Sequence, residues 1–314
     1  MKDTVYKLPQ EFLIRLREIY PSYYSQICNT FMSKKEQSFR INYLKIDLSK
    51  LKQELAKENI RYKELIWPQG GFILKSDLRV LQKTNLYRQG YIYIQNVSSM
   101  IPPLVLFPQP TDKILDLCAA PGAKTTQIAS LVGRECEIIA VEKIRTRYYK
   151  LLTNLEIQGA NFVKPLLYDG LWIRKKFPDY FDKILLDAPC SAEGRFYVLN
   201  PRSFKYWKYR KVKEMTHKQK RLLASAIHSL KPQGILVYST CTFSPEENEE
   251  MVDWALNKFK DSLELLPVDI PLKNAIAGLL KWRNKKFSQS LKLTCRIIPD
   301  NCMEGFFIAK FKKL

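Results

Sequence analysis

Histidine is almost missing from this chain of 314 residues, which has only His217 and His228. Its seven cysteines, Cys28, Cys118, Cys136, Cys190, Cys241, Cys295 and Cys302, include no Cys-x-x-Cys pair and are odd in number. Neither a zinc site nor a disulfide framework is supported, and no metal is expected. In a reducing compartment these are thiols, and the question becomes which of them react. Glycine is scarce, 11 residues beside 17 prolines, while hydrophobic residues make up 46% and charged ones 26%. Such a composition is globular and excludes collagen-like, low-complexity and disordered classes. A long apolar run is also lacking. The longest uncharged stretch, 89–111, carries Pro102, Pro103, Pro108 and Pro110 and does not read as a membrane span. The opening Met1-Lys2-Asp3 has no apolar signal core or small-residue cleavage site, so a cytoplasmic location is the default expectation.

Acidic residues are in deficit: 31 Asp and Glu face 52 Lys and Arg, a net charge of +21. The excess is spread along the chain, +8 over residues 1–90 and +13 over the remainder. A field of that sign favours a polyanionic partner, most simply nucleic acid, because neutralised phosphates release condensed counterions. Charge alone leaves RNA, DNA and an anionic membrane surface open.

The length suits about two domains. Residues 1–92 read as a small α+β unit. Phe12, Leu13, Leu16, Ile19 and Tyr20 share a helical face, Phe39, Ile41 and Tyr43 alternate as in a half-buried strand, and a second amphipathic segment covers 51–60. The turn Pro68-Gln69-Gly70-Gly71 then leads into a strand at 72–74. No catalytic constellation occurs here, and a packing or substrate-docking module is expected. Residues 93–314 alternate short apolar runs with helical segments. Buried strands are expected at 113–117, 137–141, 162–167, 183–186 and 234–239, and helices near 124–131, 145–158, 212–230 and 246–258. This is the pattern of an α/β doubly wound, Rossmann-like sheet whose ligands lie beyond the carboxyl ends of its strands.

The first of those strands runs into Asp116-Leu117-Cys118-Ala119-Ala120-Pro121-Gly122-Ala123-Lys124-Thr125. Small residues and a Pro-Gly turn before a helix let a ligand approach the backbone near a helix N-terminus. The loop is neither a P-loop nor Gly-x-Gly-x-x-Gly, and it suits an adenosine-type cofactor without a long phosphate chain. Glu142, ending the next strand, is placed to take two ribose hydroxyls, and Asp169, after the third, to accept from an adenine amino group. Asp187 ends the fourth strand, so three carboxylates stand at successive strand ends. Taken singly, each would be an ordinary solvated loop charge.

Asp187-Ala188-Pro189-Cys190-Ser191-Ala192-Glu193-Gly194 follows the fourth strand and Ser239-Thr240-Cys241-Thr242 the fifth, so both cysteines are expected on the ligand-binding edge. Cys28, Cys136 and the side chain of Cys118 read as packing thiols. Here the sequence resembles the RNA cytosine-5 methyltransferases of the Sun/RsmF type. The likeness extends to Pro245-Glu246-Glu247-Asn248-Glu249, to 304–310, and upstream to Arg40-Ile41-Asn42 and the run from Tyr93 to Met100. The chain departs from the family's pattern at Ala123 and Ala192, where glycine is common, at Glu142, where aspartate is usual, and at Asn96-Val97, where Asp-Pro is frequent.

The resemblance implies a class I methyltransferase sheet, S-adenosyl-L-methionine as cofactor, and methyl transfer to carbon 5 of a cytosine in rRNA or tRNA; separately, a monomer is expected. It implies that Cys241 attacks carbon 6 as a thiolate and that Cys190 assists release. Asp187 would hydrogen-bond the cytosine edge, and Lys124 would add positive charge near the base and lower the thiol pKa. Asp116, Cys118, Ala119, Ala120, Pro121, Gly122, Ala123, Lys124, Glu142, Arg147, Asp169 and Asp187 would line the cofactor site.

Residues 201–221 hold nine basic side chains against Glu214 alone, interleaved with Phe204, Tyr206, Trp207 and Tyr209. Cations that track phosphates and aromatics that stack on bases make this an RNA contact, with Lys205, Lys208, Arg210 and Lys211 foremost. A plain solvated helix start with core aromatics would give the same composition. A second basic run spans 281–286 around Trp282. Two other functions compete. A non-catalytic RNA-binding assembly factor would need no thiols. A DNA cytosine methyltransferase would use the cysteine after proline, Cys190, and would not need Cys241.

Overall fold

The computed structural model describes residues 7–314, so the reading made on Met1, Lys2 and Asp3 lies outside the described residues. The chain forms two compact units, one of residues 36–187 with 225–236, the other of residues up to 35 with 188–224 and 237–314. This division differs from a cut after residue 92. The helices Gln10–Ile19 and Tyr24–Met32 fall in the second unit, where the Phe12 ring lies 4.8 Å from Phe196 and 5.6 Å from Trp207.

The first unit opens on a small antiparallel sheet of β1 (Ser38–Ile41), β2 (Tyr62–Glu64), β3 (Gly71–Leu74) and β4 (Ile92–Ile94), in the order β2-β3-β1-β4. Gly70 enters β3 at φ +74°, and a Cβ there would stand 2.7 Å from Ile41 Cγ2 and from the Tyr43 hydroxyl, so the turn needs glycine. Helix Leu48–Lys57, capped by Asp47 accepting from Lys50 N, packs Leu51 and Leu55 into the sheet's core. The expected half-buried alternation in β1 does not occur: all four residues are buried. β1 is an inner strand, and its polar side chains are satisfied, Ser38 by the carbonyl of Gln95 and Arg40 by Gln95 Oε1 and Thr126 Oγ1.

β5 (Lys113–Asp116), β6 (Glu137–Glu142), β7 (Lys164–Leu167) and β8 (Phe181–Asp187) form a parallel sheet in the order β7-β6-β5-β8, and β9 (Leu230–Thr240) follows β8. Helices Ala123–Val132 and Arg145–Ile157 connect β5 to β6 and β6 to β7. The order of succession reverses between β5 and β8, which puts the switch point at the carboxyl ends carrying Asp116 and Asp187. The third strand is not buried as expected. β7 is the edge, with Leu167 45% exposed, and an edge is where a strand proline such as Pro165 is tolerated. The proline-rich segment does contain a helix, Val97–Leu106, with Pro102 and Pro103 inside it. Pro103 cannot donate to the carbonyl of Ser99, and Gln95 Nε2 takes that acceptor at 3.0 Å.

The second unit holds the end of β9, then β10 (Leu263–Leu266), β11 (Ala275–Ala277), the short hairpin of β12 (Lys281–Trp282) and β13 (Lys285–Lys286), β14 (Cys295–Ile297) and β15 (Phe306–Lys313). β15 pairs antiparallel with both β10 and β14, and β14 with β11. The helix expected from residue 246 begins at Glu249. Glu246, Glu247 and Asn248 are instead spent on side-chain bonds, to Arg15, Ser191 and Thr240 respectively. Among the described residues, no helix is long and apolar enough to cross a membrane.

Candidate active site

In the first unit, β5 delivers Asp116 to the base of the small-residue loop. Its Oδ2 accepts from Thr125 Oγ1 at 2.6 Å, and its buried Oδ1 has no partner. Burial pushes the Asp116 carboxyl up to about 6, against the Thr125 hydrogen bond and the Lys124 charge. Cys118, Ala119, Ala120, Pro121 and Gly122 then turn the chain, with Gly122 at φ +106° and Ala123 opening the helix. A Cβ on Gly122 would meet Leu151 at 3.0 Å. Ala123 therefore takes the place of a second glycine without strain, because the left-handed step is made one residue earlier. The Cys118 thiol is pushed up, chiefly by burial and then by the Asp116 and Glu142 carboxylates, in keeping with a packing role.

Glu142 is buried at the end of β6, where Oε1 accepts from Ile144 N at 2.8 Å and Oε2 lies 3.3 Å from Arg147. Arg147 also donates to the carbonyl of Ala120, so it ties Glu142 to the loop. Asp169 accepts from Leu171 N at 3.1 Å and pairs with Lys143 at 2.6 Å. Lys124, 8% exposed, donates to Asp187 Oδ2 at 2.6 Å and to Ser99 Oγ at 2.9 Å. The loop is braced from the N-terminal sheet: Arg40 donates to the carbonyl of Ala123 at 3.1 Å as well as to Thr126 and Gln95. Its motif was legible in the sequence, but nothing there showed that it reaches this helix.

In the second unit, Cys190 and Cys241 come together with their sulfurs 3.3 Å apart. The Cys190 thiol is raised well above its ordinary value, first by its hydrogen bond to Cys241, then by burial and the nearby Glu247 carboxylate. Ala192, where glycine is common in the family, takes φ +58°, a left-handed conformation costing roughly 1–2 kcal/mol for a residue with a Cβ. The buried carboxylates beside the cysteines carried no assigned role in the sequence. Glu247 accepts from Ser191 N at 2.9 Å and Gln219 Nε2 at 2.9 Å, and burial followed by the Glu193 charge raises it to about 8. Its signal was the Pro-Glu-Glu-Asn run shared with the family.

Lys205, Lys208, Arg210 and Lys211 are all exposed, and Arg210 pairs with Glu214 at 3.3 Å. The aromatics between them do not form the expected stacking surface. Phe204 and Trp207 are each 7% exposed, Trp207 donating to Glu193 Oε1 at 2.9 Å, whereas Tyr206 is 76% exposed. Aromatic rings at the foot of a helix gain more by burial than by waiting for a base. Trp282, in the second basic run, is likewise buried and donates to Glu246 at 3.2 Å.

Residues 103–312 match the family profile described as 16S rRNA methyltransferase RsmB/F, and residues 8–97 the N-terminal domain of 16S rRNA methyltransferase RsmF. The chain is 42% identical over 282 residues to a tRNA (cytosine(49)-C(5))-methyltransferase of Pyrococcus abyssi, covering 88% of each chain. It is 34% identical to ribosomal RNA small subunit methyltransferase F of Vibrio atlanticus, of which its full length spans 65%. Among solved structures it is similar to a methyltransferase homolog protein from Pyrococcus horikoshii, with TM-score 0.86, 33% identity and full coverage of both chains. A second likeness is to NSun6 from Pyrococcus horikoshii, solved with SFG, with TM-score 0.81, 25% identity and coverage of 97% and 98%. The mostly parallel sheet is thus a class I methyltransferase sheet, and the chain belongs to the RsmB/F family of RNA cytosine-5 methyltransferases.

Proposed function

We propose that this chain transfers a methyl group from S-adenosyl-L-methionine to carbon 5 of a cytosine in rRNA or tRNA through a covalent Cys241–carbon 6 intermediate. The observation that carries the reading is the 3.3 Å approach of Cys190 to Cys241. The stretch 1–92, although its first two helices pack within the unit of the two cysteines, serves to dock RNA and 93–314 to carry catalysis, a division supported by the separate profile matches at 8–97 and 103–312, with the chain acting as a monomer in the cytoplasm.

The residues fit the cofactor. The unpartnered buried Oδ1 of Asp116, the small side chains of 118–123 and the Glu142 carboxylate suit an adenosine bearing a short charged chain. Asp116 and the loop would hold that chain, Glu142 the ribose hydroxyls with Arg147 orienting it, and Asp169 the adenine edge. When bound, S-adenosyl-L-methionine supplies the methyl group on an electrophilic sulfonium carbon. Carbon 5 of cytosine is too weak a nucleophile until a thiolate adds to carbon 6. Addition of Cys241 sulfur forms the S–C6 bond and moves an electron pair to carbon 5, which takes up the methyl. Solvent takes up the carbon 5 proton, the pair from that C–H bond restores the double bond, and the S–C6 bond breaks with its electrons returning to the Cys241 sulfur, a release that the Cys190 thiol assists by giving its proton to that sulfur. Asp187 presents its carboxylate to the cytosine edge, oriented by Lys124. The base must leave its stack first, which costs least in single-stranded or looped RNA.

The test of the reaction is incubation of the full chain with RNA containing 5-fluorocytidine and with matched DNA. A denaturation-stable adduct with RNA alone is the expected result; an adduct with DNA alone would overturn it. For the cofactor, Glu142→Ala should weaken S-adenosylmethionine binding roughly tenfold, about 1.4 kcal/mol, since a buried carboxylate and its hold on Arg147 are lost together. Calorimetry giving unchanged affinity would remove Glu142 from the site. For RNA, replacing Lys208, Arg210 and Lys211 together by alanine should flatten the slope of log affinity against log salt by about 2, at roughly 0.7 per single-strand phosphate. An unaltered slope in the folded variant would put the RNA elsewhere.

A further inference from the structure

Between the segment that follows Cys190 and the segment that follows Cys241 runs a set of buried hydrogen bonds more extensive than two adjacent loops require. Glu193, three residues past Cys190, is 2% exposed. Its Oε2 accepts from Thr242 Oγ1 at 2.8 Å and from Phe243 N at 3.1 Å, and its Oε1 from Ser244 Oγ at 2.8 Å. All three donors belong to the Cys241 segment. The converse contact comes from Glu247, six residues past Cys241 and fully buried. It accepts from the backbone N of Ser191 at 2.9 Å and is hydrogen-bonded to the Ser191 hydroxyl, both on the residue next to Cys190. The two halves meet where Ser191 Oγ lies 2.7 Å from Thr242 Oγ1.

We propose that Glu193 and Glu247 are positioning residues that form a reciprocal clasp, each reaching from one cysteine segment to the residue beside the other cysteine, and so fix the separation of the two thiols. Two buried carboxylates are a costly way to join loops, since each must be desolvated and an apolar contact would serve for packing alone. What carboxylates add is direction, because several short hydrogen bonds to one group leave each loop a single arrangement. Helix Tyr209–Ser229 holds the clasp from a third side, with Gln219 Nε2 donating both to Glu247 at 2.9 Å and to the carbonyl of Pro189 at 3.0 Å. The neighbours of both cysteines, Ser191 and Thr242, are thereby tied to each other rather than to solvent. Burial and the Glu193 charge raise Glu247 to about 8, whereas the bonds from Ser191 and Gln219 pull the other way and stabilise its charged form.

This inference rests on the reading of Cys190 and Cys241 as the reacting pair, but its test does not need methylation. The full chain is treated with diamide, whose N=N bond takes two electrons and two protons as two S–H bonds break and one S–S bond forms. Closure of the Cys190–Cys241 disulfide is followed by peptide mass spectrometry and normalised to the alkylation rate of the same thiols. The clasp predicts rapid closure in the unchanged chain, closure at least tenfold slower in Glu247→Ala and at least threefold slower in Ser191→Ala, and near-normal closure in Glu247→Gln, which keeps one acceptor and one donor. Thermal melts identify folded variants, and if Glu247→Ala does not fold, Ser191→Ala decides. Equal closure rates in the folded variants would overturn the clasp. In turnover, Glu247→Ala should lower kcat with the KM for RNA unchanged and should accumulate RNA adduct. If the closure rates follow the prediction while the unchanged chain forms no adduct with 5-fluorocytidine RNA, the catalytic reading fails and the clasp stands.

Discussion

Cys241→Ala should abolish methylation, by about 10³-fold or more, and leave no covalent RNA species, whereas Cys190→Ala should trap one. The two sulfurs lie 3.3 Å apart, so position alone does not decide which attacks. The motifs do: Cys241 stands in the family's Thr-Cys motif and Cys190 in its Pro-Cys motif, and hydrogen bonding to Cys241 and burial push the Cys190 thiol up, which suits a partner for release. With Cys190 removed, addition to carbon 6 and methyl transfer still proceed and elimination stalls, so a protein–RNA adduct survives a denaturing gel. The phenotypes are opposite, and one gel with radiolabelled RNA separates them. Adduct from Cys241→Ala and none from Cys190→Ala would reverse the assignment and return the chemistry to the DNA-type mechanism that uses the cysteine after proline.

The strands and helices of the sheet were legible because each is an apolar run or an amphipathic stretch bounded by turn residues. The strand ends at Asp116, Glu142 and Asp187 followed directly. Burial at the sheet's margins was not legible. Strand β7 has the apolar look of an inner strand yet is the edge, and β1 has the alternation of a half-covered strand yet is buried throughout, because burial depends on neighbours distant in sequence. The same reason explains Trp207 and Phe204. Composition placed them among cations, and only the packing of Phe12 and Phe196 shows them to be core. The pairing of Cys190 with Cys241 was foreseeable from two strand ends on one sheet edge. The bracing around it, by Glu193, Glu247 and Gln219, joins three separate segments and has no local signature.

Arg296→Ala should destabilise the chain by about 3–5 kcal/mol, the scale of a broken buried ion pair. Arg296 and Glu249 are both 0% exposed. The guanidinium is bidentate on the carboxylate, with Nε to Oε1 at 2.6 Å, and its remaining nitrogen donates to the Tyr20 hydroxyl at 2.6 Å and the carbonyl of Phe243 at 3.0 Å. Burial works against that charge, and Glu249 and Tyr20 more than offset it, raising the Arg296 pKa. Truncating Arg296 leaves Glu249 buried, with Leu279 N as a remaining donor at 3.0 Å, and the cost is mainly that of the stranded carboxylate. The paired replacement Arg296→Met with Glu249→Leu should therefore recover much of the loss, because it removes both charges and fills the space. Denaturant melts of the single variants Arg296→Ala, Arg296→Met and Glu249→Leu and of the double variant test this. A double variant no more stable than Arg296→Ala would mean that the bonds to Tyr20 and Phe243, rather than the ion pair, carry the effect. Phe243 is two residues past Cys241, so the single variants should also lower the rate of adduct formation, with the cysteine itself intact.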